Sequence, residues 1–381
     1  MICAYTGAAR AQGNIHLGKL EIHPGLNLGY TYTDNVNQES TAIKATDQNP
    51  KESIIEATPG VELRFPTSNH LFRLGYNLSV FDFLKRKETD YKSSAMGSLE
   101  FNFPVGLILR LSDNYAQMVF PTLQLLDQTG IVKYWENNGF AEIGYTLTQR
   151  WSVSGRYKNN MVRFQQLSPY DRDTNSGGAA LFMRIMTKLS LFGEAWYGKV
   201  GYKESTSTGQ DATYIQGFLG LGGRVSPKTN FTLRAGYENR TYSDSANFPK
   251  TNAPVVSLEL EEKPNTHFSF SLNGSRSVNA TVYENNSYYI STGGGANFTL
   301  SMLRMLALGA DFSYFLLQYE KANNAGDKRT DKILEISPNI KVDITRWLRA
   351  QGGYALRNRS SNVDNYSFKE NRIEASLNAV L

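Results

Sequence analysis

Residues 107–115, LILRLSDNY, alternate apolar and polar side chains. Leu107, Leu109 and Leu111 occupy one set of alternate positions, whereas Arg110 and Ser112 belong to the other. A period of two is typical of a β-strand, because successive side chains point to opposite faces of the strand. A polar or charged group at every second position indicates that one of these faces contacts water.

The same alternation recurs along the chain, as in residues 231–241, FTLRAGYENRT. Tight connections follow every even-numbered segment and longer polar connections follow every odd-numbered one, a pattern typical of a membrane-spanning barrel with short periplasmic turns and longer extracellular loops. We predict an all-β fold, a transmembrane antiparallel up-and-down β-barrel of about eighteen strands, with sixteen as the next alternative. The predicted strands are 20–33, 53–65, 70–83, 91–103, 107–116, 133–147, 151–164, 175–186, 190–202, 211–225, 230–241, 253–262, 267–278, 287–300, 305–319, 332–343, 347–359 and 368–381.

Composition agrees with a barrel and excludes a helical membrane protein. Mean hydropathy is −0.41, and no stretch approaches the ~18 consecutive apolar residues that a membrane helix needs. Gly (32), Tyr (22) and Phe (20) are abundant, as expected where aromatic side chains ring both membrane interfaces. A soluble β-sandwich shares this composition but rarely needs so many strands of this length.

The chain of 381 residues shows no linker or change of pattern that would mark a domain boundary. Residues 9–11 read ARA, which is similar to a signal-peptidase site, and the only cysteine, Cys3, precedes it. We therefore interpret 1–11 as the remnant of a truncated signal peptide, with a disordered tail as the alternative, and 12–381 as one barrel domain. The mature chain would then contain no disulfide or thiolate metal site.

Charge and motifs favour no enzymatic or nucleic-acid function. The net charge is +5, and basic residues are not interleaved with exposed aromatic residues as in nucleic-acid sites. The four histidines show no metal-binding spacing, and we expect no catalytic residues, cofactor or metal. The acidic loop residues Asp34, Asp171 and Asp173 could bind calcium, but solvated loops are the alternative.

The polar positions of the predicted strands carry charges of both signs, and we assign them to the lumen. The basic residues are Arg64, Arg73, Arg110, Arg156, Lys158, Arg184, Arg234, Arg240, Arg349 and Arg357, and the acidic ones are Glu62, Glu100, Glu142, Glu238, Asp311 and Glu335. One interpretation is that these groups pair across strands and keep the lumen hydrated. The other is an arginine-rich path that favours anions, since rings of Arg and Lys select anionic solutes.

Three segments near the N-terminus carry a family resemblance. They are 21–36, EIHPGLNLGYTYTDNV, 53–63, SIIEATPGVEL, and 72–81, FRLGYNLSVF. Their order resembles the "putative β-barrel porin type 2" family of outer-membrane proteins, which are often encoded in exopolysaccharide or capsule loci. The resemblance implies a pore for polysaccharide export and supplies no catalytic residues. One departure is the C-terminal Leu381, where outer-membrane barrels usually end in an aromatic residue.

We therefore expect a pore in the outer membrane of a Gram-negative bacterium, with a conduit for exopolysaccharide export as the leading hypothesis. The alternatives are an uptake porin for anionic nutrients or oligosaccharides and a structural or adhesive surface barrel. The expected partners are membrane lipid, lipopolysaccharide, a polysaccharide substrate and a periplasmic export partner, with a monomeric barrel. The apolar loop 117–132 is a candidate constriction. Pro24, Pro59 and Pro338 fall inside predicted strands and suggest bulges or strand ends.

Overall fold

The computed structural model describes residues 15–40, 51–118, 132–204, 210–281, 286, 288–322, 328–363 and 366–380. In these ranges the chain forms antiparallel strands and one turn of 3-10 helix, Ser168–Tyr170. The strands are β1 Ile15–Leu17, β2 Leu20–Thr33, β3 Glu52–Pro66, β4 His70–Phe83, β5 Glu88–Asn102, β6 Leu107–Met118, β7 Tyr134–Thr146, β8 Trp151–Phe164, β9 Arg172–Met186, β10 Leu189–Tyr202, β11 Ala212–Ser226, β12 Thr229–Tyr242, β13 Thr251–Glu262, β14 Phe268–Ala280, β15 Tyr288–Leu303, β16 Leu306–Ala322, β17 Lys328–Asp343, β18 Leu348–Ser361 and β19 Phe368–Val380.

The eighteen strands β2–β19 form one closed sheet. Each strand pairs with its neighbours in sequence, and β19 closes the barrel on β2, with Arg372 opposite Thr33 and Val380 opposite Gly25. The short strand β1 pairs with β2 beyond the end of β19, where Ile15 lies opposite Ile22. Closure removes the unpaired edges that would otherwise invite aggregation. The predicted eighteen-strand antiparallel barrel is confirmed, and only β1 was not predicted.

Most differences between predicted and observed strands lie at the ends that face the long loops. Strand β5 begins at Glu88, β9 at Arg172 and β17 at Lys328, three or four residues before the predicted starts. These added residues are polar on both faces of the strand, so they carry no alternation. Pairing with a neighbouring strand keeps them extended nevertheless.

Large apolar side chains occupy one face of the sheet, and the charged residues occupy the other. Leu74 is 59% exposed, Ile215 60% and Leu219 71%, all on the apolar face. On the polar face, buried aromatic side chains collect at the strand ends next to the long loops, among them Tyr134 and Tyr202. The described part of the chain has no helix long and apolar enough to cross a membrane.

Prolines interrupt the hydrogen-bond ladder without shifting its register. Pro59 falls between the paired residues Ala57 and Gly60 of β3, whose partners on β4 keep the same register on both sides. Pro338 lies in a similar gap between β17 and β18, and Pro24 lies just beyond the last β19 pair. Proline has no N–H to donate, so one rung is lost at each position. The expectation of a bulge or a strand end was wrong for Pro59 and Pro338, because the register is unchanged and both lie inside their strands.

Candidate functional site

Six charged side chains form a continuous row on the polar face from β5 to β12, which we call the arginine row. The row alternates acid and base in the order Glu100, Arg110, Glu142, Arg156, Glu194 and Arg234. Arg110 Nη1 lies 3.0 Å from Glu142 Oε2, and Arg156 Nε lies 2.8 Å from Glu142 Oε1. Arg156 Nη1 lies 2.7 Å from Glu194 Oε1, and Arg234 Nη1 lies 3.4 Å from Glu194 Oε2. Glu142 and Glu194 are therefore each shared by two guanidinium groups.

The row passes over two strands, β9 and β11, that contribute no charge to it. Arg156 on β8 lies opposite Gly178 on β9, and Arg234 on β12 lies opposite Gly220 on β11. Neighbouring strands are about 4.8 Å apart, so Arg156 must span about twice that distance to reach Glu194 on β10. The Arg156 guanidinium crosses β9 beside Phe182, with its central carbon 5.3 Å from the centroid of that ring.

The two inner carboxylates of the row are buried, whereas Glu100 at its β5 end is 41% exposed. The side chains of Glu142 and Glu194 are 10% and 6% exposed, whereas those of Arg110 and Arg234 are 45% and 34% exposed. Two exposed guanidinium groups and one exposed carboxylate therefore face a solute that approaches the row, although acids and bases alternate along it.

Aromatic rings lie beneath Arg234 and beneath Lys158, a cation outside the row. Lys158 Nζ is 4.4 Å from the centroid of Trp196, and the Arg234 guanidinium carbon is 4.9 Å from that of Phe218. A cation over a ring face is attracted by the ring quadrupole. Trp196 and Phe218 are only 6% and 9% exposed, so their faces are covered by protein groups.

The ring of Trp196 occupies the space that a side chain at Gly178 would need. A Cβ atom built on Gly178 would lie 2.5 Å from Trp196 Cδ2 and 2.9 Å from a backbone oxygen. We expect Gly178→Val to displace Trp196 into the lumen, to lower single-channel conductance and to destabilise the barrel by about 1–3 kcal/mol, as overpacking does. Bilayer conductance and urea unfolding measure both effects.

The adjacent Gly177 provides a matched control, because a Cβ atom there would have nothing within 4 Å. Gly177→Ala should conduct and unfold like the parent protein. If Gly178→Val did the same, the packing of Trp196 against β9 would not shape the lumen.

The other predicted lumen residues also lie at polar positions but outside the arginine row. Arg64 pairs with Glu62 at 2.7 Å, Arg240 with Glu238 at 2.8 Å and Arg357 with Glu335 at 3.2 Å. Arg73 lies opposite Arg64, Arg184 opposite Ser190, Arg349 beside Asp343 and Asp311 opposite Asn297. Lys158 covers Trp196. The structure therefore brings five of the predicted residues into one row and distributes the rest over the polar face.

Sequence reasoning missed Glu194, which joins the two halves of the row, and Trp196. Both occupy alternate positions of a predicted strand, so parity alone would have found them. Parity had assigned Arg372 and Glu374 of β19 to the inward face, but it missed Glu370. These three residues form an acid-rich group with Glu335 on the opposite wall, and Glu374 is 48% exposed there. Their closeness depends on the register of β17, β18 and β19.

The acidic residues considered for calcium form contacts within the protein. Asp34 accepts hydrogen bonds from the backbone and side-chain nitrogens of Asn371. Asp171 accepts from the Phe164 backbone, and Asp173 pairs with Arg163 and Lys203. Within the described ranges, no group of three His, Cys, Asp or Glu residues is placed to hold a metal ion. Most of the loop expected to form a constriction, 119–131, lies outside the described residues.

Solved outer-membrane proteins share this fold at low sequence identity. OpdK from Pseudomonas aeruginosa is 12% identical with a TM-score of 0.50, and the match covers 94% of this chain and 99% of that one. OccAB3 from Acinetobacter baumannii is 10% identical with a TM-score of 0.50, over 96% and 100% of the two chains. OpdO from Pseudomonas aeruginosa is 12% identical with a TM-score of 0.50, over 95% and 98%. These likenesses show the fold alone.

The comparison with protein families shows the family of this chain as well as its fold. The comparison with curated proteins gave no match. The family model described as "Putative beta-barrel porin 2" matches residues 144–380, which is more than half of the chain and lies outside the N-terminal segments that carry the resemblance. The chain therefore belongs to this family of β-barrel porins, and its location is the outer membrane of a Gram-negative bacterium.

Proposed function

We propose that the protein is a passive channel for the uptake of small anionic solutes, which contact the exposed guanidinium groups of the arginine row. The observation that carries this proposal is the difference in exposure within the row. Arg110 and Arg234 are exposed to the polar face, while Glu142 and Glu194 are buried beside them, and Glu100 is the one exposed carboxylate of the row. Cationic groups along a pore favour anions.

The polar face is assigned to the lumen by two physical arguments. An outer-membrane barrel presents its apolar band to lipid, which leaves the charged face inside. Side chains also converge on the concave face of a closed sheet, which helps Arg156 to reach Glu194 over β9. The other charged residues that we predicted for the lumen share this face.

Small anions fit the polar face better than oligosaccharides or an extended glycan. Sugars stack on open aromatic faces, but the rings of Trp196 and Phe218 are buried and covered by Lys158 and Arg234. The inner face also carries buried apolar clusters near the extracellular ends, such as Tyr134 with Val162. These side chains occupy lumen space. Polysaccharide export, which the family resemblance implies, has no comparable support in the described residues.

Liposome swelling tests the proposed substrate class. Vesicles containing the refolded barrel should swell faster in small organic carboxylates than in neutral sugars of similar size or in organic ammonium salts. Protein-free vesicles provide the baseline. Equal rates for carboxylates and sugars would contradict the anion preference, and inhibition only by acidic polysaccharide would favour the export conduit.

A further inference from the structure

Strands β13 and β14 separate before they reach the extracellular end of the barrel. Their ladder runs from Glu262 opposite Phe270 to Val256 opposite Arg276. Beyond that pair, residues 251–255 of β13 continue to pair with β12, and residues 277–280 of β14 continue to pair with β15. Among the described residues, the barrel wall is therefore interrupted here over about five residues, or about 16 Å of strand.

Pro254 lies at the first missing rung. The backbone N–H of Lys263 donates to the Lys228 carbonyl, next to β12. In an antiparallel strand the backbone groups of alternate residues point to opposite neighbours, so odd-numbered residues of β13 form their backbone hydrogen bonds with β12. The backbone groups of even-numbered residues point to β14. Register then places Pro254 opposite Val278. Proline cannot donate the hydrogen bond that the Val278 carbonyl would accept.

The proline alone does not explain the separation. At Pro59 the β3–β4 ladder resumes with Ala57 opposite Val80, and at Pro338 the β17–β18 ladder resumes with Ile336 opposite Leu356. No pairing resumes beyond Pro254 in the described residues. A second interaction must therefore keep the end of β14 away from β13.

That interaction comes from inside the barrel. Arg240 points inward from β12, and its Nη2 donates to the Val278 carbonyl at 3.4 Å. Tyr288 on β15 stacks on Tyr242 of β12, with ring centroids 6.2 Å apart. Both contacts pass over the inner face of β13, so the ends of β14 and β15 lie on the lumen side of that strand.

Burial agrees with this overlap. Val278 shares the outward parity of Phe268 and Phe270, yet it is only 7% exposed. The inward residues Ala253 and Val255 of β13 are 1% and 3% exposed. Val278 is buried because another part of the barrel wall lies on its outer side. Ala253 and Val255 are buried because other protein groups lie on their lumen side.

We propose that the extracellular end of β14 is a constriction that sets the size limit of the channel, held inward by Arg240 and prevented from pairing with β13 by Pro254. Arg240 is suited to this role because its planar fork can bind two partners at once. Its Nε donates to Glu238 at 2.8 Å, while Nη2 donates to Val278. This inference rests on the proposed channel function and concerns its width.

The test combines Pro254→Thr, which restores the missing donor, with Arg240→Lys. Lysine keeps a charge beside Glu238, but its compact ammonium group lacks the guanidinium fork. We expect the pair to let β14 join β13 and to raise conductance by about 1.3-fold, the ratio of the cross-sections of eighteen-strand and sixteen-strand barrels. Larger polyethylene glycols should also enter the widened pore. The measurements are single-channel conductance in planar bilayers and polymer exclusion.

Pro59→Thr is the matched control, because it restores a rung where the ladder already continues, and it should conduct like the parent. A second arm uses Tyr242→Cys with Tyr288→Cys and Cys3→Ser, joined by a short bifunctional thiol reagent. Cross-linking should return the widened variant to parental conductance, and reductant should reverse this effect. Unchanged conductance and polymer exclusion in Pro254→Thr/Arg240→Lys would overturn the constriction, whereas a parent protein without conductance would instead contradict the proposed function.

Discussion

Asp331→Asn is expected to lower the free energy of unfolding by about 3–5 kcal/mol, because it removes one partner of a buried ion pair. Asp331 is completely buried between two guanidinium groups, with Arg329 Nη2 at 2.9 Å and Arg359 Nη2 at 2.5 Å. Both arginine side chains are 1% exposed. Asparagine keeps the size of the side chain but leaves two buried positive charges without their carboxylate.

Urea unfolding in lipid vesicles, followed by tryptophan fluorescence and by the gel mobility of the folded barrel, measures this loss. Asp343→Asn on the same strand is the control. Asp343 pairs with Arg349 at 2.5 Å, but the two side chains are 46% and 40% exposed. Exposed pairs contribute about 0–1 kcal/mol, so this control should change little. Equal losses of unfolding free energy in the two variants would show that burial does not determine how much the Asp331 ion pairs contribute to stability.

The largest functional effect is expected from Arg110→Gln combined with Arg234→Gln. These two side chains are the most exposed cations of the arginine row. A charge about 4 Å away in water contributes about 1 kcal/mol, so each lost guanidinium should lower the anion-to-cation permeability ratio by up to about fivefold. Arg156 still pairs with Glu142 and Glu194, which preserves folding.

Reversal potentials across a potassium chloride gradient report the permeability ratio. Lys188→Gln combined with Lys263→Gln removes the same total charge from exposed positions in the short turns. This control should keep the parental ratio. If the control and the row variant shifted the ratio equally, net charge rather than the arginine row would set selectivity.

Alternation of side chains was sufficient to predict the barrel, because one face of each strand meets lipid and the other meets water. It failed at segments such as Lys328–Asp331, where both faces are polar. Arg329 and Asp331 are stabilised in this strand by the ion pairs that they form with each other and that Asp331 forms with Arg359. The three-residue strand β1 is too short to show a period, and it pairs where β19 ends.

The arginine row was only partly predictable. Parity assigned Arg110, Glu142 and Arg156 to one face, but continuity of the row depends on Arg156 reaching across β9 to Glu194. That contact requires the register of three strands. Pro254 is visible in the sequence inside a predicted strand, yet its consequence depends on Arg240 and on which neighbour its missing N–H would face.

Thiol modification inside the membrane tests the central claim that the polar face is an aqueous path favouring anions. Ser112→Cys and Leu111→Cys, each with Cys3→Ser, place a thiol on the polar and apolar faces of β6 beside Arg110. We expect Ser112→Cys to react with water-soluble thiosulfonates, and to react faster with the anionic reagent than with the cationic one. Leu111→Cys should be protected by lipid. Faster reaction with the cationic reagent, or reaction at Leu111→Cys alone, would contradict this claim.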